Sequence, residues 1–443
     1  MRLLSFFGLP QDLPAVKSKA EIRKKYLYWR LRVFVGMYVG YALYYFTRKS
    51  FSFLVPALKA DLGFTTSQMG LVASVLPVVY GISKFVSGVL GDRLNPRAVM
   101  GIGLLLTGVF NLFFGMSSSI VFFMIFWGLN GWFQGFGWPP CARLLTHWYS
   151  QSERGRWWSL WNTSHNVGGA VIPLLVGVVA QHFGWRMAMY VPGCICILGG
   201  FFLMKCLTDT PKSMGLPTIE EYRKDLPPDQ AQQAEKKLTT KEILVRYVLT
   251  NGYVWTLAIA SFFVYIIRQS VNDWSNLFLV ESRGYTLAIA NTCLVWFEVG
   301  GFFGSLAAGW LSDTVFGSRR GPINVLFSLA TIAGIAGFYF VPPGWVALDC
   351  FMVFFIGFAI FGPQMMIGMA AAELSHKNAA ATATGFTGWI SYLGAAFAGW
   401  PITRIAELHG WGGFFIALGV CATIAVVLLL PLWSVKINTK FVD

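Results

Sequence analysis

The sequence predicts an all-α membrane protein of twelve transmembrane helices, arranged as two pseudo-symmetric six-helix bundles. Three observations carry this: a composition too apolar for a soluble protein, twelve apolar stretches of spanning length, and short motifs that occur twice in the same order. Of 443 residues, 56% are hydrophobic, 16% aromatic and only 12% charged, against roughly 25% charged in soluble proteins. A packed soluble core cannot hide that much apolar surface. Lipid is therefore the expected solvent, which argues against soluble enzymes and nucleic-acid binders. The seven cysteines and five histidines are scattered; only Cys194 and Cys196 lie close together, and neither a metal-ligand spacing nor a disulfide ladder emerges. No cofactor and no metal are expected.

A helix needs roughly 20 apolar residues to cross a bilayer. Such stretches fall at 31–55, 66–91, 98–116, 119–145, 158–181 and 187–206, then at 252–280, 285–312, 322–341, 345–372, 380–403 and 412–433. They are too long for barrel strands, so the backbone must satisfy itself as helix. The basic stretch Arg23-Lys24-Lys25 precedes the first span without a small-residue cleavage site, so that span is expected to be retained and not to be a signal peptide. The division that follows is a cytoplasmic segment 1–30, a first bundle 31–207, a polar linker 208–246, a second bundle 247–434 and a tail 435–443.

Orientation comes from the placement of Lys and Arg. Arg48, Lys49, Lys84 and Arg268 lie deep in predicted spans, while Lys59, Arg186, Arg283 and Arg404 sit on one set of alternating loops. Most others fall on the N-terminus, the even-numbered loops, the linker and the tail. Both termini are thus expected in the cytoplasm, and the formal charge of +14 is mainly topological.

Internal repetition supports two halves. Gly88-Val89-Leu90-Gly91-Asp92 recurs as Gly309-Trp310-Leu311-Ser312-Asp313, Tyr45 with Arg48 as Tyr265 with Arg268, and Gly184-Trp185 as Gly410-Trp411, at nearly constant spacing. An even number of spans per half makes the repeat parallel. The pairs Gly36/Gly40, Gly131/Gly135 and Gly300/Gly304 are read as close helix contacts.

Charges near the bilayer centre are expensive and persist where they line a cavity or find partners. A pseudo-two-fold would bring Arg48 and Arg268 to one central site, with Lys84 and His165 adding potential positive charge and Asp273 and Glu298 the acids within reach. An anion with several oxygens, such as phosphate, would compensate the excess, and the planar guanidinium fork suits it. The alternative, internal bridges from Arg48 and Arg268 to the two acids, leaves Lys84 over. Lys49 points about 100° away from Arg48 and either snorkels or lines the cavity edge. A histidine's ordinary pKa near 6.5 overlaps the second ionisation of phosphate, about 6, so His165 could favour the divalent form. A hydroxylated ligand would be held by rings and amides, here Tyr41, Tyr45, Tyr80, Trp138 and Tyr265 with Gln134, Asn162, Asn166 and Gln364. Pro139-Pro140 is expected to interrupt the fourth span, and Gly362-Pro363 the tenth. Neither a nucleophile–base pair nor paired catalytic carboxylates appear, so an enzyme is not expected.

The helix-one stretch from Gly40 to Phe51, Ser83-Lys84-Phe85, Gln134-Gly135-Phe136-Gly137-Trp138-Pro139-Pro140-Cys141, Trp161 to Gly169, Tyr265-Ile266-Ile267-Arg268 with Asp273-Trp274, and Phe361-Gly362-Pro363-Gln364 closely resemble the organophosphate:phosphate antiporters of the major facilitator superfamily. The loop Gly88-x-Leu90-x-Asp92-Arg93-x-x-x-Arg97 matches that superfamily's signature. Arg143-Leu144-Leu145-Thr146, Arg154 to Trp158 and Asp209-x-Pro211-x-x-x-Gly215-Leu216-Pro217 resemble its hexose-phosphate transporter and receptor branch. The resemblance implies phosphate binding by Arg48 and Arg268, with ligand-site roles for Lys84 and His165. One departure is that Thr384 and Thr387 stand where a dedicated hexose-phosphate carrier has an Asp and a Lys. The implied function is exchange of a hexose 6-phosphate, glucose 6-phosphate first, for inorganic phosphate by a monomer in a bacterial inner membrane. The rivals are a sugar-phosphate sensor signalling to a partner kinase and a carrier for glycerol 3-phosphate. A proton-driven drug exporter would need acids dominating the cavity, which the cation excess opposes.

Overall fold

A computed structural model describes residues 7–64, 66–224, 238–285 and 287–435. Residues 1–6, 225–237 and 436–443, which belong to the predicted N-terminal segment, linker and tail, lie outside it, as do Thr65 and Thr286. Among the described residues the regular structure is all helical, with no strand. In order come α1 (Lys19–Leu62), α2 (Thr66–Gly91), α3 (Pro96–Met116), α4 (Ile120–Gln134), α5 (Trp138–Trp148), α6 (Gln151–Asn162), α7 (Ser164–Cys206) and the short α8 (Ile219–Arg223). A π-helical turn over Glu242–Leu249 leads into α9 (Gly252–Arg283), α10 (Leu287–Thr314), α11 (Arg320–Phe340), α12 (Val346–Leu374), α13 (Ala380–Phe397) and α14 (Trp400–Leu429). Among the described residues, nine helical runs are long and apolar enough to cross a bilayer.

Local chemistry explains the breaks. α4 stops at Gln134 and α5 restarts at Trp138 with Pro139 and Pro140 in its first turn, where missing N–H groups cost nothing because first-turn donors lack intrahelical partners anyway. The interruption expected at Gly362-Pro363 does not occur: α12 runs unbroken across it. A single proline inside a helix removes one N–H donor, and tight packing holds the rest in register. A Cβ on Gly362 would collide with Phe327. α7 and α14 each bend at a glycine in the left-handed region, Gly184 (φ 81°) and Gly410 (φ 66°), a conformation only glycine adopts cheaply.

The chain resolves into two compact units. The first comprises 1–150, 164–247 and 376–386, the second 151–163, 248–375 and 387–443. Each therefore takes a short segment from the other half of the sequence. In the first unit α1 and α3 pack along α7; in the second α10 and α11 pack along α12, and α6 lies on α10. The small-residue pairs do what their spacing suggested: a Cβ on Gly300 or Gly304 would strike the α12 backbone at Phe354 or Phe358, and one on Gly131 the backbone of Leu76.

Candidate functional site

In the first unit, α1 presents Tyr41, Tyr45 and Arg48 about one turn apart, as a helical face requires. The Arg48 guanidinium is 9% exposed and sits 4.6 Å from the Tyr45 ring centroid and 4.5 Å from that of Tyr80 on α2. One turn beyond Tyr80, buried Lys84 places its ammonium 4.9 Å from the Trp138 ring and 6.0 Å from the Tyr80 ring. Tyr41 meets both Trp138 (5.7 Å) and Tyr45 (6.0 Å), and His165 on α7 lies 5.7 Å from Tyr45. α7 comes this close because position 168 is glycine: a Cβ there would run into the backbone of Ala42. Seven of the predicted residues, Arg48, Lys84, His165, Tyr41, Tyr45, Tyr80 and Trp138, thus form one cluster. An aromatic face stabilises a cation by about 0.5–2 kcal/mol without supplying opposite charge.

Gln134 is wholly buried at the end of α4 and accepts from Arg48 Nε at 3.1 Å. Asn166 is half-buried beside His165 in sequence, and Lys49 is exposed.

In the second unit, half-buried Arg268 on α9 lies 4.8 Å from the Phe361 ring of α12. Tyr265, one turn earlier, meets Tyr392 at 5.7 Å. Asp273 is exposed and accepts from Gln269 Nε2 (2.9 and 2.7 Å) and Asn272 Nδ2 (2.8 Å). Glu298 is exposed, Gln364 half-buried, and buried Asn162 on α6 donates to Ser305 Oγ at 3.2 Å. Thr384, which belongs to the first unit, turns its hydroxyl back onto the carbonyls of Ala380 and Ala381 (2.9 and 3.0 Å). Sequence reasoning missed Phe361 and Tyr392 as partners of these residues, since aromatics abound in every span.

A second set of buried charges lies at the helix ends. In the first unit Asp92 accepts from Ala381 N (3.1 Å), Thr382 N (2.7 Å) and Thr382 Oγ1 (2.7 Å). Burial pushes its carboxyl up to about 6, opposed by nearby Arg143 and those hydrogen bonds. Arg143 grips Asp209 bidentately at 2.8 and 3.0 Å. In the second unit Arg320 bridges Asp313 (2.5 Å) and Glu373 (2.9 and 3.2 Å), Arg154 adds a bond to Glu373 (3.0 Å), and Asp313 also accepts from Arg156 N (2.8 Å). Glu373 was not singled out in the sequence; its signal is an acid at the end of a long apolar run.

A bundle of long apolar helices carrying interior cations on aromatic faces is the architecture of a secondary membrane transporter. Residues 37–399 match the model of the Major Facilitator Superfamily, and the chain belongs to that family. It is 56% identical over 443 residues to a "Probable hexose phosphate transport protein" of Chlamydia pneumoniae, covering 97% of this chain and 96% of that one. It is 47% identical over 429 residues to the "Membrane sensor protein UhpC" of Escherichia coli strain K12, covering 97% and 98%. Among solved structures, the proton:xylose symporter XylE superposes with a TM-score of 0.71 at 15% identity over 90% of this chain and 94% of that one, a likeness of fold. These relatives place the chain in the organophosphate:phosphate antiporter branch. It is an integral multi-pass membrane protein and not an enzyme.

Proposed function

We propose that this protein moves a hexose phosphate, glucose 6-phosphate foremost, across a bacterial inner membrane in exchange for inorganic phosphate, both termini facing the cytoplasm. The supporting observation is the first-unit cluster, in which Arg48 and Lys84 rest on the rings of Tyr45, Tyr80 and Trp138. Rings tolerate positive charge without cancelling it, so a multiply charged oxyanion is the natural counterpart. Arg48, Arg268, Lys84 and His165 are assigned to phosphate. The remaining cluster aromatics and Asn162, Asn166, Tyr265 and Gln364 are assigned to the sugar side or the cavity wall, with Lys49, Asp273 and Glu298 at its edges. Transport proceeds by alternating access, the protein opening to one face of the membrane and then the other. Bringing two arginines together is repulsive until an anion neutralises them, which makes exchange obligatory.

Purified protein in liposomes preloaded with phosphate should take up labelled glucose 6-phosphate, and liposomes lacking internal phosphate should not. Equal uptake in both would sink antiport. The high identity to UhpC over nearly the whole chain favours one second reading, a sensor, for which binding without uptake is the expected outcome. Competition by glycerol 3-phosphate at equal strength would move the substrate assignment away from hexoses.

A further inference from the structure

Gln134 makes an unusually complete set of hydrogen bonds for a membrane amide. Its Nε2 donates toward Tyr44 O (3.0 Å), Thr47 Oγ1 (2.9 Å) and Asn130 Oδ1 (3.2 Å), while its Oε1 accepts from Arg48 Nε (3.1 Å). One turn earlier on the same face of α4, buried Asn130 donates to Thr47 O at 2.9 Å. The two amides therefore lace α4 to the segment of α1 that ends in Arg48. The environment also fixes which end of the Gln134 amide faces which way. A flipped amide would set its oxygen against acceptors and its NH2 against the Nε–H donor.

We propose that Gln134 is a positioning residue that sets the plane of the Arg48 guanidinium by holding its Nε, so that phosphate is met through the Nη1–Nη2 edge. This rests on the reading that Arg48 binds phosphate. It gives Gln134 a place behind the arginine in place of a direct contact with sugar. A guanidinium held on one edge keeps its fork pre-organised, and pre-organisation raises affinity by reducing the ordering cost of binding.

The experiment measures the Kd of the full-length purified protein for inorganic phosphate, alongside thermal unfolding. Gln134→Met keeps length and removes the amide; it should weaken phosphate binding by about tenfold, the scale of one lost charge-assisted hydrogen bond. Gln134→Glu should bind phosphate poorly at neutral pH and recover relative to wild type as the pH falls, because a protonated carboxyl again donates to the α1 acceptors and accepts from Nε. Asn111→Leu is the control. Asn111 is equally buried and ties α1 to α7 through Ser50 Oγ (3.1 Å) and Met189 O (2.7 Å) without touching Arg48. It should lower the Tm without changing the Kd.

Wild-type affinity in Gln134→Met, or a loss equal to that of Asn111→Leu, combined with impaired binding in Arg48→Lys, overturns the positioning role and spares the Arg48 assignment. Undiminished binding in Arg48→Lys overturns the assignment and the inference together. Should Gln134→Met fail to fold, the pH recovery of Gln134→Glu decides, and no recovery overturns the proposal.

Discussion

Asp92 and Asp313 occupy matching places in the two copies of one short motif, and their surroundings differ in kind. Asp92 is held by two backbone N–H groups at the start of α13 and by the Thr382 hydroxyl. Asp313 is held by Arg320 and by a backbone N–H at Arg156. The first arrangement uses neutral donors and the positive end of a helix; the second is a buried network in which Arg320 also serves Glu373. Elsewhere the halves agree closely. Gly184 and Gly410 make the same left-handed bend, and the tryptophan after each donates to an acid near the end of its half's first long helix, Trp185 to Asp61 (2.8 Å) and Trp411 to Glu281 (3.1 Å). A repeat preserves where a group stands more faithfully than what neutralises it.

The largest test of that contrast is Arg320→Leu. It leaves Asp313 and Glu373 buried without their shared guanidinium, a loss of about 3–5 kcal/mol for a broken buried pair. The variant should show a much lower Tm in detergent than Asp92→Asn; equal Tm values would mean that the two acids are held equally strongly.

A smaller effect follows from acidity. The folded chain raises the Asp92 carboxyl from its ordinary 3.8 to about 6, so its contribution to stability is fullest below about pH 4 and is lost as pH rises through 6. The span is on the order of 2–3 kcal/mol. Thermal unfolding followed from pH 4 to 7 should therefore show wild type losing ground to Asp92→Asn with rising pH, and parallel curves would contradict the assignment.

Smallest are Trp185→Phe and Trp411→Phe. Each removes one N–H donor to a carboxylate, about 1 kcal/mol, and similar modest drops in Tm are expected from both. A drop confined to one half would show that the shared bend hides unequal roles.

Much of this was legible beforehand. The apolar runs marked the helices because lipid permits few other solutions, and the interior cations stood out against so little charge. The Pro139-Pro140 break was readable because two consecutive prolines can only begin a helix. Gly362-Pro363 misled because one proline is a local loss that packing against Phe327 overrides. The segments around Arg143 and Asp209 are joined by one ion pair, which spacing alone does not reveal. Nor does the sequence announce that 151–163 and 376–386 pack with the opposite half, or that Gln134 spends its amide on α1. Those are long-range matters of which helix meets which.

The placement of α6 has a bearing on how the molecule is made. Arg154 meets Glu373 across 219 residues of chain, and synthesis at roughly 5–20 residues per second puts tens of seconds between the appearance of one and the other. Through that interval the newly inserted α6 must wait in the bilayer with Arg154 lacking Glu373. The nascent protein should therefore be most exposed to quality-control proteases after α6 has emerged and before α12, which carries Glu373, has arrived.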